Sequence, residues 1–114
     1  KGSKFADKAV YSITDAGRTY FKELMALYAA GPVPLLFDFN VVITNLNKME
    51  KAEAVNLIST LRQSIQSSSD TNENYAKEFA DIPLVGRTIF EQQRLLYNAL
   101  LEWLNQFERQ FSQK

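Results

Sequence analysis

The chain has 114 residues, with 13 Lys and Arg against 13 Asp and Glu, and contains neither His nor Cys. That length is one domain's worth, and 46% hydrophobic with 23% charged residues is ordinary globular composition. The missing His and Cys exclude disulfides, thiolate chemistry and the commonest metal ligands and general base, and the balanced charge argues against strong nucleic-acid binding by this chain alone, which needs a cationic surplus.

The N-terminus reads Lys-Gly-Ser-Lys, with no apolar signal region behind it. The most apolar stretch, Val33 to Val42, is interrupted by Pro34, Asp38 and Asn40 and is too short to cross a bilayer. No membrane association and a cytoplasmic location are expected. The chain starts on Lys rather than Met, so a piece of a longer protein is expected.

Ala9 to Ile13 is rich in β-formers and alternates in polarity, which predicts a short strand. Lys1, Lys4 and Lys8 cluster in the same stretch. Thr14 then reads as a helix N-cap, with Asp15 placing negative charge at the positive end of the dipole. Tyr20, Phe21, Leu24, Met25, Leu27 and Tyr28 follow at helical spacing, and Gly31-Pro32 ends the run, Gly31 as a left-handed cap. Gly17, in the first turn, is expected to let the preceding strand approach closely.

Pro34 can open the next helix. Leu35 to Leu46 is apolar on almost every face, which predicts a buried helix. A buried strand competes, because Val41, Val42, Ile43 and Thr44 are β-branched; Asn40, Asn45 and Asn47 break its alternation. Asn47 and Glu50 have the spacing of a capping box. Behind it Ala54, Leu57, Ile58, Leu61 and Ile65 form one stripe. The polar run Ser67 to Asn72 reads either as a loop or as the waist of one long helix, and the register Leu61, Ile65, Ser68, Asn72, Tyr75, Phe79 favours the single helix.

Asp81-Ile82-Pro83 breaks the pattern, and a last helix is predicted over about Leu84 to Phe111. Its main stripe is Val85, Ile89, Leu96, Leu100, Trp103, Leu104, Phe107 and Phe111, with Phe90, Tyr97 and Leu101 on a neighbouring line. So much apolar surface predicts packing against both its own domain and a second copy.

Enzymatic chemistry has little to stand on. Glu50 with Glu53, and Glu102 with Glu108, are better read as helix surface charge than as acid/base pairs. No glycine-rich phosphate loop is present, and Ser67-Ser68-Ser69 has neither a His nor flanking elbow glycines. No enzyme, cofactor or metal is therefore expected. Trp103, the single Trp, reads first as a core or interface residue and second as a flat surface for a planar ligand, aided by Tyr97 and Phe107.

The phrase Tyr11-Ser12-Ile13-Thr14-Asp15-Ala16-Gly17-Arg18 resembles the junction in winged-helix regulators where the wing strand hands over to the next helix. With the helix that follows, the apolar Leu35–Leu46 segment, the Leu57-Ile58 and Leu61 helix and the Glu102-Trp103-Leu104 ending, the chain is similar to larger members of the PadR family of transcriptional regulators. The family's helix-turn-helix would precede the wing and is not in this sequence. The resemblance implies residues 1–14 as the end of the wing and residues 15–114 as a C-terminal helical dimerisation and effector domain. It implies a homodimer, operator DNA bound through the preceding module, and in some members a response to phenolic acids or other aromatic compounds. Lys4 and Lys8 are then candidate DNA-backbone contacts. Leu96, Tyr97, Leu100, Leu101, Trp103 and Phe107 are candidates for the dimer interface and for an aromatic-ligand surface. The expected fold is mainly α, a bundle of about four helices, two of them long and antiparallel, with a short N-terminal β-strand from the winged helix. The alternative is a stand-alone helical adaptor that binds a partner protein through its last helix.

Overall fold

The computed structural model describes residues 13–113. The chain divides into two compact units, one ending at Leu36 and one beginning at Phe37. Among the described residues it is mainly helical, with four α-helices: α1 (Asp15–Ala30), α2 (Asn40–Ile43), α3 (Lys51–Glu78) and α4 (Leu84–Ser112). The strand expected over Ala9 to Ile13 lies, but for Ile13, outside the described residues, as do Lys4 and Lys8.

α1 starts where the sequence places its cap. The Thr14 hydroxyl accepts the Gly17 N–H at 2.9 Å, and Asp15 sits in the first turn within 3.7 Å of Arg18. A Cβ on Gly17 would stand 3.1 Å from the Ile13 side chain, so the bare Cα lets Ile13 lie against the first turn. The helix ends at Ala30, but Gly31 is not the left-handed cap expected: its φ of −73° and ψ of 167° are extended. Pro32 is the reason, since a following proline pushes any residue out of the helical region. No residue of α1 is buried, and Tyr20, Phe21, Met25 and Tyr28 are all exposed.

The second unit is built on the α3–α4 hairpin. Lys51, at the start of α3, places its ammonium 5.4 Å from the centre of the Phe111 ring near the end of α4. Asn72, later in α3, donates to the Phe90 carbonyl at 3.1 Å. The two long helices are therefore antiparallel. α3 runs unbroken through the Ser67–Asn72 waist. Its inward line continues from Ile65 to Ser69, which is buried, and the half-buried Asn72 and Ala76. It does not pass through Ser68 and Tyr75 as the sequence register suggested, and Tyr75 and Phe79 are exposed. On α4, Leu104 is fully buried, and the half-buried Phe90, Tyr97 and Leu101 lie on the inward side. The main stripe opens to water at its N-terminal end, where Val85 is 78% and Ile89 52% exposed. At the turn, a Cβ on Gly86 would come 2.8 Å from the Ile82 side chain, so glycine is what lets Ile82 fold back on α4.

The helix expected from Pro34 through Leu46 does not form. Residues 32–37 carry no regular structure, α2 is one turn long, and Leu46–Lys48 is a 3-10 turn. Local side chains compete for the backbone: the Thr44 hydroxyl donates to the Asn40 and Val41 carbonyls, and the Asn45 amide donates to the Val41 carbonyl at 2.7 Å. Nor is the segment buried on every side, since Val41 is exposed while Val42, Ile43 and Leu46 pack on the core. The capping box is absent too. Glu50 is the N-cap residue of α3, with no side-chain bond, and Asn47 lies in the 3-10 turn before it.

Candidate functional site

The irregular segment ahead of α2 delivers two aromatic side chains to the hairpin. The rings of Phe37 and Phe39 stack with centres 5.1 Å apart and planes within 3°. Phe39 in turn stacks on Trp103 at 6.0 Å, and the row continues down α4 through Phe107 (6.4 Å) to Phe111 (5.6 Å). Trp103, Phe107 and Phe111 stand at spacings of four, one above another on the same helix face.

Beside this row lies a groove of about 260 Å³. Leu61, Ser64, Ile65 and Ser68 form its α3 side; Gln93, Leu96, Tyr97 and Leu100 form its α4 side; Phe37 and Phe39 close it. Three of the six predicted α4 residues, Leu96, Tyr97 and Leu100, are brought together there. Trp103 and Phe107 belong to the adjoining aromatic row, joined to the groove through Phe39. Leu101 is not a groove residue and packs against the buried core. Sequence reasoning missed Phe37 and Phe39, having placed them on a helix where residues two apart diverge. It also missed Ser64, Ser68 and Gln93. Ser64 and Ser68 were findable at spacings of three and seven from Leu61, which put them on one α3 face.

A second hollow, about 280 Å³, lies toward the turn and is lined by Glu73, Ala76, Ala80, Arg87, Phe90, Glu91 and Arg94. Its cations are already engaged. Arg94 forks onto the Glu91 carboxylate, and the Arg87 guanidinium donates to the Ile82 carbonyl at 3.0 Å. The hydrogen bonds from Arg94 hold the Glu91 carboxyl below its ordinary range and raise Arg94 above its own. Glu108, weighed above as half of an acid/base pair, is instead bonded by the Arg62 guanidinium, which also reaches the Asn105 side-chain oxygen at 3.0 Å. Among the described residues no cluster of acidic side chains is arranged to hold a metal ion, and no helix is long and apolar enough to cross a membrane. No family model, curated protein or solved structure matches the chain.

Proposed function

We propose that this chain is the dimerisation and effector-sensing domain of a PadR-like winged-helix transcriptional regulator, joined at Thr14 to the end of a wing. The observation that carries the proposal is the uncovered apolar line on the first half of α4. Val85, Ile89 and Leu96 are exposed there, at spacings of four and seven on one side of a helix whose other side is already committed to α3. A line of this kind finds a matching surface on a second copy of the same chain, because a two-fold axis brings identical patches together. The Thr14 cap and the close seating of Ile13 on Gly17 also support the reading, since they fall within the phrase that resembles the wing-to-helix junction.

The mechanical purpose is spacing. Two recognition helices reach a two-fold operator only if the dimer holds them about one turn of DNA apart, roughly 34 Å. A ligand that binds one dimer geometry more tightly than another shifts that spacing and with it the DNA affinity.

Sedimentation equilibrium tests the self-association. A dimer is expected for the wild type, and a monomer for Ile89→Asp with unchanged helix content. A wild-type chain that stays monomeric at high micromolar concentration overturns the dimer and favours the adaptor. DNA binding tests the rest. This chain alone is expected to show no sequence discrimination at physiological salt, whereas its parent with the preceding module should protect a two-fold site.

A further inference from the structure

We infer that the groove bounded by Phe37, Phe39, α3 and α4 is a binding site for an uncharged, planar, apolar molecule of one or two rings that carries one hydrogen-bonding group. Size comes first. At about 260 Å³ the groove falls just under the range of roughly 300–1,000 Å³ that takes drug-sized ligands. The stacked pair Phe37 and Phe39 supplies a rigid aromatic boundary, backed by Trp103. Flat apolar molecules gain most from such a boundary, through burial and offset stacking.

Charge decides the class. The lining contains no Asp, Glu, Lys or Arg. A carboxylate or ammonium entering it would give up hydration with no ion to replace it, whereas a neutral molecule loses nothing comparable.

The polar edge fixes one further feature. On α3, Thr60 and Thr71 return their hydroxyls to the carbonyl four residues back, at 3.1 Å each. Ser64 and Ser68, one turn apart on α3, make no such bond among the described residues, and both are exposed. The Gln93 side chain reaches only its neighbour Gln92, at 3.3 Å, through its amide nitrogen. Two hydroxyls and one amide are thus left at the mouth of an apolar groove, enough to hold a ketone, an ester or a hydroxyl. Leu96 belongs both to this groove and to the uncovered α4 line, so a bound ligand touches the surface given above to the second copy. That link alone rests on the proposed dimer; binding in the groove does not.

Equilibrium dialysis of the chain against 2-acetonaphthone and 2-naphthoate is the test. The two have the same ring system and nearly the same shape, and differ in a methyl group against a carboxylate oxygen. The ketone is expected to saturate one site per chain, with naphthoate weaker by about tenfold or more. Ser64→Phe fills the groove from an exposed position and should remove ketone binding while circular dichroism and the melting curve stay unchanged. Ser68→Arg adds a cation and should narrow or reverse the preference. Equal binding of the two compounds, saturable binding that survives Ser64→Phe, or no saturable binding of the ketone overturns the inference. Sedimentation of the same samples keeps the two proposals apart: a dimer that binds no ketone leaves the regulator reading standing, and a monomer that binds it leaves the groove standing.

Discussion

Where α3 begins and α4 finishes, Leu46, Ala54, Ile58 and Leu104 are at most 1% exposed, and Val42, Ile43, Trp103 and Phe107 pack around them. At the opposite end, around the turn, Tyr75, Phe79, Leu84, Val85 and Ile89 stay exposed, and α3 turns Ser69 and Asn72 inward where the other end uses Ala54 and Ile58. The two ends share the same pair of helices. They differ in a third layer, because the Phe39–Leu46 segment covers only the first end. Two helices in contact bury one line each, and closing a core takes something laid across the seam. The turn end is held instead by small and polar contacts, and most of its apolar side chains stay exposed.

The largest difference between the ends should appear in truncations. Leu104→Ala removes a fully buried side chain from a packed site and is expected to cost about 3 kcal/mol, within the usual range for such cavities. Ile89→Ala, at 52% exposure, should stay within about 0.5 kcal/mol when the chain is dilute. Urea melts of both variants check this. Equal losses would break the comparison, because the turn end would then be as tightly packed as the other.

Next in size is the cross-hairpin bond of Arg62. Its guanidinium spans Asn105 and Glu108, and the two charged side chains are only 30% and 28% exposed. Arg62→Ala should cost about 1–2 kcal/mol, since it leaves a partly buried carboxylate without its donor. A double-mutant cycle with Glu108→Ala isolates the pair, and a coupling energy indistinguishable from zero would contradict the account. At the turn end the corresponding bond is neutral: Asn72 donates to the Phe90 carbonyl. Asn72→Ala should cost about 1 kcal/mol, and the melt should move less than for Arg62→Ala.

The same contrast explains what could be read from the sequence. α1, α3 and α4 were legible because each has a local signature: the Thr14 cap, an apolar stripe at spacings of three and four, and Pro83 at the start of α4. Helical register favoured the continuity of α3 through Ser67–Asn72 over a loop, although the inward line runs through Ser69 and Ala76 rather than Ser68 and Tyr75. The third layer was not legible. Phe39 to Leu46 folds as short turns because Thr44 and Asn45 satisfy backbone carbonyls with their side chains, and the apolar pattern around them looks helical all the same. The same pattern misleads at two further points: Asn47 and Glu50 have the spacing of a capping box although the chain is still turning at Asn47, and helical periodicity puts Phe37 and Phe39 on a helix rather than against Trp103. Which line of α4 faces inward was also hidden. Both of its apolar lines have helical spacing, and only the position of α3 selects Phe90, Tyr97 and Leu101 over Val85 and Ile89.

The smallest effect is expected from the second ion pair, and it sharpens the comparison because its geometry imitates the first. Arg94 and Glu91 sit one turn apart on α4 and bond through two nitrogens, as good a fork as a surface offers. Their side chains are 42% and 51% exposed, against 30% and 28% for Arg62 and Glu108. Hydrogen bonding from Arg94 lowers the Glu91 pKa, with partial desolvation opposing and the opposite charge of Arg94 adding to it. A carboxyl lowered by folding contributes stability above its unfolded pKa, and that contribution is lost as pH falls through the folded value. The window therefore lies at and below the ordinary carboxylate range. Water screens an exposed pair, so the melting midpoint should not respond measurably to Arg94→Gln at neutral pH. The titration itself should respond. The Glu91 carboxyl carbon, followed by NMR, should titrate below an ordinary Glu. It should return toward the ordinary value in Arg94→Gln, and partly in 1 M salt, where the screening length shrinks to roughly 3 Å. A Glu91 midpoint unchanged by Arg94→Gln would mean that the fork does not persist in solution, and the turn end would then lack its ion pair between Glu91 and Arg94.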